Sequence, residues 1–76
     1  MKVHSYTVNI EPAPEGGFWS RVPALPGCFS QGETVEETIR NTKEAIELYL
    51  EHLKNEGEEI PEESESALNV RVAVTL

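Results

Sequence analysis

Gly32-Glu33-Thr34-Val35-Glu36-Glu37-Thr38-Ile39 is the stretch at which the chain changes its period. After it, Val35, Ile39, Thr42, Ile46, Tyr49 and Leu53 recur in steps of four and three, with Ala45 and Leu50 beside them. That spacing is one face of a helix of about five turns. Thr34-Val35-Glu36-Glu37 has the form of a capping box, in which the Thr34 hydroxyl accepts from the Glu37 amide and Glu37 reaches back. Glu36 and Glu37 favour the positive end of the helix dipole, and Lys54 the negative end. Gly57 is placed to be the residue just past the last turn. The spacing assigns Val35, Ile39, Ile46, Tyr49 and Leu53 to the buried face and sends most glutamates to solvent.

Before this stretch the period is two. His4, Tyr6, Val8 and Ile10 alternate with Ser5, Thr7 and Asn9, which reads as a half-buried strand. Two prolines and two glycines in Glu11-Pro12-Ala13-Pro14-Glu15-Gly16-Gly17 make a hairpin loop. Phe18 to Val22 forms the second strand, with Phe18, Ser20 and Val22 on one face and Trp19 and Arg21 on the other. Pro23-Ala24-Leu25-Pro26-Gly27 is the next turn, and Pro26-Gly27 suits the centre of type II. Cys28 to Gln31 is a short third strand that Gly32 ends.

Beyond the helix, Glu58 to Ser66 is an acidic connection containing Pro61. Leu68, Val70, Val72, Val74 and Leu76 then alternate with Asn69, Arg71, Ala73 and Thr75, predicting a fourth strand that runs to the last residue. The expected fold is α+β: one βββαβ domain over residues 1–76. A right-handed crossover places strand four parallel to strand three. A short strand three and a long strand four favour a mixed four-stranded sheet of order 3-2-1-4. The helix covers one face, and Trp19 and Arg21 lie on the face it leaves open.

Composition narrows the function. The chain has 76 residues and 14 acids, all glutamate, against six Lys and Arg, for a net charge of −8. Such a surface repels phosphate backbones, so no direct nucleic-acid binding is expected. It suits a basic partner. A lone cysteine makes no internal disulfide, and no Cys/His cluster offers zinc ligands. With no apolar run near the ~18 residues a membrane span needs and no leader-like apolar stretch, the expectation is a cytoplasmic protein. A chain this short buries only about 60% of its unfolded surface, so association with a second copy is the expected support.

No constellation carries chemistry. His4 and His52 stand on a strand and a helix with no aspartate or second histidine nearby in sequence. Cys28 follows a Pro-Gly turn without an evident base and reads as a small buried hydrophobe. Glu44, Glu47 and Glu51 lie close on one helix but on its solvated side. Gly16-Gly17 precedes a strand, so it is not a phosphate loop. The expectation is a non-catalytic domain with no cofactor and no metal that contacts other protein.

A run of motifs adds to this. Glu11-Pro12 and Glu15-Gly16-Gly17-Phe18, then Val22-Pro23-Ala24-Leu25-Pro26-Gly27-Cys28, then Ser30-Gln31-Gly32-Glu33-Thr34, then Glu36-Glu37, Asn41 and Glu44-Ala45-Ile46, resemble the HicB antitoxin family. The resemblance spans about residues 5 to 62. It implies a partial ribonuclease-H-like fold and a role in binding and neutralising HicA, a small basic toxin that cleaves messenger RNA. Ribonuclease activity does not follow, because fold does not imply function and the chain has no aspartate. The shared positions read as architectural: Gly27 and Gly32 serve turns, Pro23 and Pro26 fix them, Cys28 packs, and Thr34 with Glu37 starts the helix. Many HicB proteins continue into a DNA-binding domain, and none is expected within these residues. The alternative reading is a stand-alone protein-interaction or ligand-binding domain with no toxin partner.

The open sheet face and the exposed strand edge both point to a homo-oligomer, most simply a two-fold dimer. Trp19 and Arg21 are the candidate self- or partner-contact residues.

Overall fold

The computed structural model describes residues 4–63 and 70–76. Within them, β1 (Asn9–Pro12), β2 (Phe18–Arg21) and β3 (Phe29–Gly32) form an antiparallel sheet of order β1-β2-β3, and α1 (Val35–Asn55) packs on one face.

The turns follow from local chemistry. In the first hairpin the Gly16 amide donates to Ala13 O at 3.1 Å and the Ala13 amide to Gly17 O at 3.0 Å. This is a type I turn started by Pro14 and closed by Gly16 at φ +106°. In the second, the Cys28 amide donates to Leu25 O at 3.0 Å across Pro26-Gly27, with Gly27 at φ +83°.

β3 joins α1 through only Glu33 and Thr34, and that tight junction fixes how the helix lies. A Cβ on Gly32 would stand 2.7 Å from both the amide nitrogen and Oγ1 of Thr38. Only a bare glycine lets the first helical turn come this close. The helix therefore turns Thr38 and Thr42 inward, where both are fully buried, and leaves Val35 and Ile39 exposed. This corrects the face read from the spacing, which put Val35 and Ile39 inside. Two threonines are tolerated there because their hydroxyls bond back along the helix. Thr38 Oγ1 donates to Thr34 O at 2.7 Å and Thr42 Oγ1 to Thr38 O at 2.5 Å. Ser20 Oγ then lies 2.7 Å from Thr42 Oγ1, and since the Thr42 proton is already committed, Ser20 is the donor. The remaining core is Val22, Leu25 and Cys28, packed against Tyr6, Val8, Ala45, Ile46, Tyr49 and Leu50.

The Thr34 hydroxyl accepts from the Glu37 amide at 3.0 Å, while Glu37 Oε1 reaches the Glu33 amide at 3.3 Å, one residue outside the reciprocal position of a capping box. Thr34→Ala is expected to cost about 1 kcal/mol in chemical denaturation, the usual worth of an N-cap hydroxyl. At the other end, Gly57 donates to Lys54 O and Glu58 to Leu53 O, the paired bonds of a Schellman cap.

Two expectations about the sheet change. The first strand was expected from His4 to Ile10, but the ladder spans Asn9–Pro12. β2 ends at Arg21 and the chain then turns, with the Leu25 amide donating to Val22 O, so residues 4–8 have no β2 backbone beside them. The expected fourth strand covered residues 68–76. Residues 68 and 69 lie outside the described ones, and Val70 to Leu76 are exposed and join no ladder. Among the described residues the sheet is three-stranded, not the four-stranded 3-2-1-4.

Candidate functional site: the open face of the sheet

Alternation along three short strands decides what the uncovered face carries. Asn9 pairs with Arg21 and Arg21 with Phe29, while Glu11 pairs with Trp19 and Trp19 with Gln31. Directly opposed residues share a face, so these six side chains form two rows of three on the side away from α1. They border a shallow recess of about 660 Å³. Trp19 is 48% exposed and Phe29 66% exposed. Two aromatics are thus left in water on one face of a small sheet, on diagonal positions of neighbouring strands. One cation, Arg21, and one anion, Glu11, leave the patch neutral on a chain of net charge −8.

Phe29 was not singled out in the sequence. Its signal was present: the buried Cys28 starts a period-two stretch, which sends Cys28 and Ser30 inward and Phe29 and Gln31 outward. Cys28 is buried, and burial pushes its thiol above the ordinary value, which leaves it a poor nucleophile. Pro23 and Pro26 are exposed in the second turn, where Tyr49 Oη donates to Pro26 O at 2.8 Å and pins that turn to the helix. Asn41 Nδ2 donates to Gln31 O at 2.8 Å, fastening β3 to α1.

The solvent side of α1 carries Glu36, Glu44, Glu47 and Glu51, all exposed, with Arg40 and Lys43 between them. Among the described residues, no group of three His, Cys or Glu is placed to hold a metal ion. No helix of the described residues is long and apolar enough to cross a membrane.

A clasp ties the segment after the helix to the amino-terminal segment. Tyr6 Oη donates to Pro61 O, and the Thr7 amide and hydroxyl both donate to the Glu63 carboxylate, the amide at 2.8 Å. His4 Nδ1 lies 3.9 Å from Glu62 Oε1. The two Thr7 bonds hold the Glu63 carboxyl below its ordinary value. A carboxyl whose value falls on folding stabilises the fold above its unfolded value, and that contribution fades as pH drops through the folded one. The Thr7 amide resonance is therefore expected to titrate with a midpoint below the ordinary glutamate range. Glu63→Gln should abolish that titration.

A sequence profile described as the HicB-like antitoxin of bacterial toxin–antitoxin systems matches residues 6–73. A UPF0150 protein of Synechocystis is 47% identical over 62 residues, covering 82% of this chain and 78% of that protein. A UPF0150 protein of Thermoplasma acidophilum is 46% identical over 65 residues, covering 86% of this chain and 94% of that protein. An uncharacterised 14.9 kDa protein of Haemophilus phage HP1 is 43% identical over 56 residues, which are 74% of this chain and 41% of that protein. The profile takes in all three strands, both turns and the whole of α1. By this profile and by these relatives, the chain belongs to the HicB-like antitoxin family of bacterial toxin–antitoxin systems.

Proposed function

We propose that this chain is the antitoxin of a HicA-type pair, binding a small basic toxin that cleaves messenger RNA and silencing it without catalysis of its own. The observation that carries this reading is the family match over residues 6–73. The charge of −8 supports it, because an acidic protein draws in a basic partner and accelerates encounter. In this reading the glutamates of α1 supply the field. Trp19, Phe29 and Arg21 on the open sheet face supply the contact, since aromatic and arginine side chains dominate the energy of protein interfaces. Pro23, Pro26, Gly27, Cys28, Gly32, Thr34 and Glu37 act through the scaffold. The protein works in the cytoplasm, where a messenger-cleaving toxin would act, and takes no cofactor.

The same reading includes a completed sheet. A fourth strand formed by the carboxy-terminal residues lies beside β1, giving the order 3-2-1-4 of a partial ribonuclease-H-like fold, and the working form is a homodimer.

Co-expression with a HicA-type protein encoded beside this chain tests the reading. The expected result is a co-purifying complex and restored growth of cells carrying the toxin. Trp19→Glu, on an exposed position, should weaken capture by roughly tenfold or more, the ordinary scale for an interface aromatic. A chain that captures no such protein would instead be a stand-alone interaction domain.

A further inference from the structure

We infer that the carboxy-terminal segment Val70–Leu76 of one copy forms the fourth strand of a second copy's sheet, and that two copies exchange these segments reciprocally. The inference rests on the homodimer proposed above and not on the toxin partner.

The segment is built to be buried and is not. Val70, Val72, Val74 and Leu76 share one face by alternation and are 73% to 116% exposed. The radius of gyration is 14.6 Å, against about 11 Å for a compact chain of this length. The body is therefore extended by an arm that its own surface does not cover.

A receiving site of matching shape exists on the body. The hydrogen-bonded pair at Ala13 and Gly17 sets the alternation along β1. Asn9 and Glu11 turn their backbone groups toward β2, and Ile10 and Pro12 turn theirs outward. Proline lacks an N–H and sits on the outward set, as an open edge permits. Beside this edge, Tyr6, Val8, Ile39, Ile46 and Leu50 border an apolar groove of about 300 Å³. Ile39, 52% exposed, is the residue that the rotation of α1 leaves uncovered. A strand added at this edge would pair with the outward backbone groups and lay its apolar face over Ile39 and Leu50. That is β-augmentation, with alternate side chains entering the groove.

The arm's exposure beside its own body points to a second copy as the source. The arm's one charged side chain is Arg71; Glu47 and Lys43 both border the groove, on a body that is acidic in sum. The arm therefore brings a cation to a net acidic body, where two bodies alone would repel. The clasp of Pro61 and Glu63 on Tyr6 and Thr7 holds the chain as far as Glu63 at the groove's end. Reciprocal exchange closes the assembly at two copies and covers both edges.

Light scattering on the full chain, with isotope-filtered NMR on a mixture of 13C-labelled and unlabelled copies, tests this. The expected mass is twice 8.5 kDa, with filtered contacts from the Val72 and Val74 methyls to the Tyr6 ring and Ile39. Val72→Lys with Val74→Lys alters only exposed positions. It should give monomers whose helix signal is unchanged. A monomeric parent chain would overturn the inference. So would a dimer that survives the double substitution, or arm-to-groove contacts that vanish under filtering because the arm lies on its own body. Toxin capture is measured separately, so either result can fail without the other.

Discussion

Leu25→Ala is expected to remove about 3–4 kcal/mol of stability, read as a lowered denaturant midpoint with an unchanged slope. Leu25 has no exposed surface, and it sits inside the Pro23–Pro26 turn among Val22, Cys28 and residues of α1. Truncation loses the transfer free energy of the removed methyls and leaves a cavity. The turn cannot collapse to fill it. Its ends are held by the Leu25 amide on Val22 O and the Cys28 amide on Leu25 O, and its outside by Tyr49 Oη on Pro26 O. A domain of this size has about 4–11 kcal/mol in total, so the variant should be partly unfolded at ambient temperature. A loss under 1 kcal/mol would mean the turn moves with its side chain.

Gly32→Ala should cost about 3 kcal/mol by a different route. The backbone of Gly32 needs no positive φ, so conformational freedom is not the issue. The new Cβ would meet Thr38 N and Oγ1 at 2.7 Å and Thr38 Cα at 3.0 Å. Two of these are backbone atoms of the first helical turn, so relief requires moving α1 off the sheet. That movement would also pull Thr42 from Ser20 and strand the buried Ser20 hydroxyl. Gly27→Ala is the control. It sits at φ +83° with nothing within 4 Å of the new Cβ, so it should lose only about 1 kcal/mol of backbone preference. Equal losses at the two sites would show that crowding against Thr38 is not what Gly32 avoids.

The parts of the fold legible in the sequence are those set by neighbours in sequence. Thr34, Pro14, Pro26-Gly27 and Gly57 act within four or five residues of themselves, and each lies where that local chemistry puts it. What was misjudged depends on distant partners. The buried stripe of α1 passes through Thr38 and Thr42 because Gly32 draws the first turn against β3. Periodicity included Thr42 but set Val35 and Ile39 beside it and passed over Thr38, since it weighs a threonine as polar whether or not its proton has a carbonyl to go to. The first strand's pairing begins at Asn9 because β2 stops at Arg21, a limit that the alternation from His4 to Ile10 does not contain. The alternation from Val70 to Leu76 describes a segment suited to a sheet but not which sheet receives it. Trp19 and Arg21 could be placed on the open face from strand two alone. Phe29 follows from an inward Cys28 by the same alternation, and only its place in the row of Arg21 needed the register between β2 and β3.

The most direct measurement is the rate at which a HicA-type toxin cleaves messenger RNA as this chain is added. The account predicts that cleavage falls to background once chain and toxin are equimolar, that raising the salt slows the onset of inhibition, and that Trp19→Glu requires a large excess to reach the same end point. Cleavage that continues undiminished in a tenfold excess of the folded chain would contradict it.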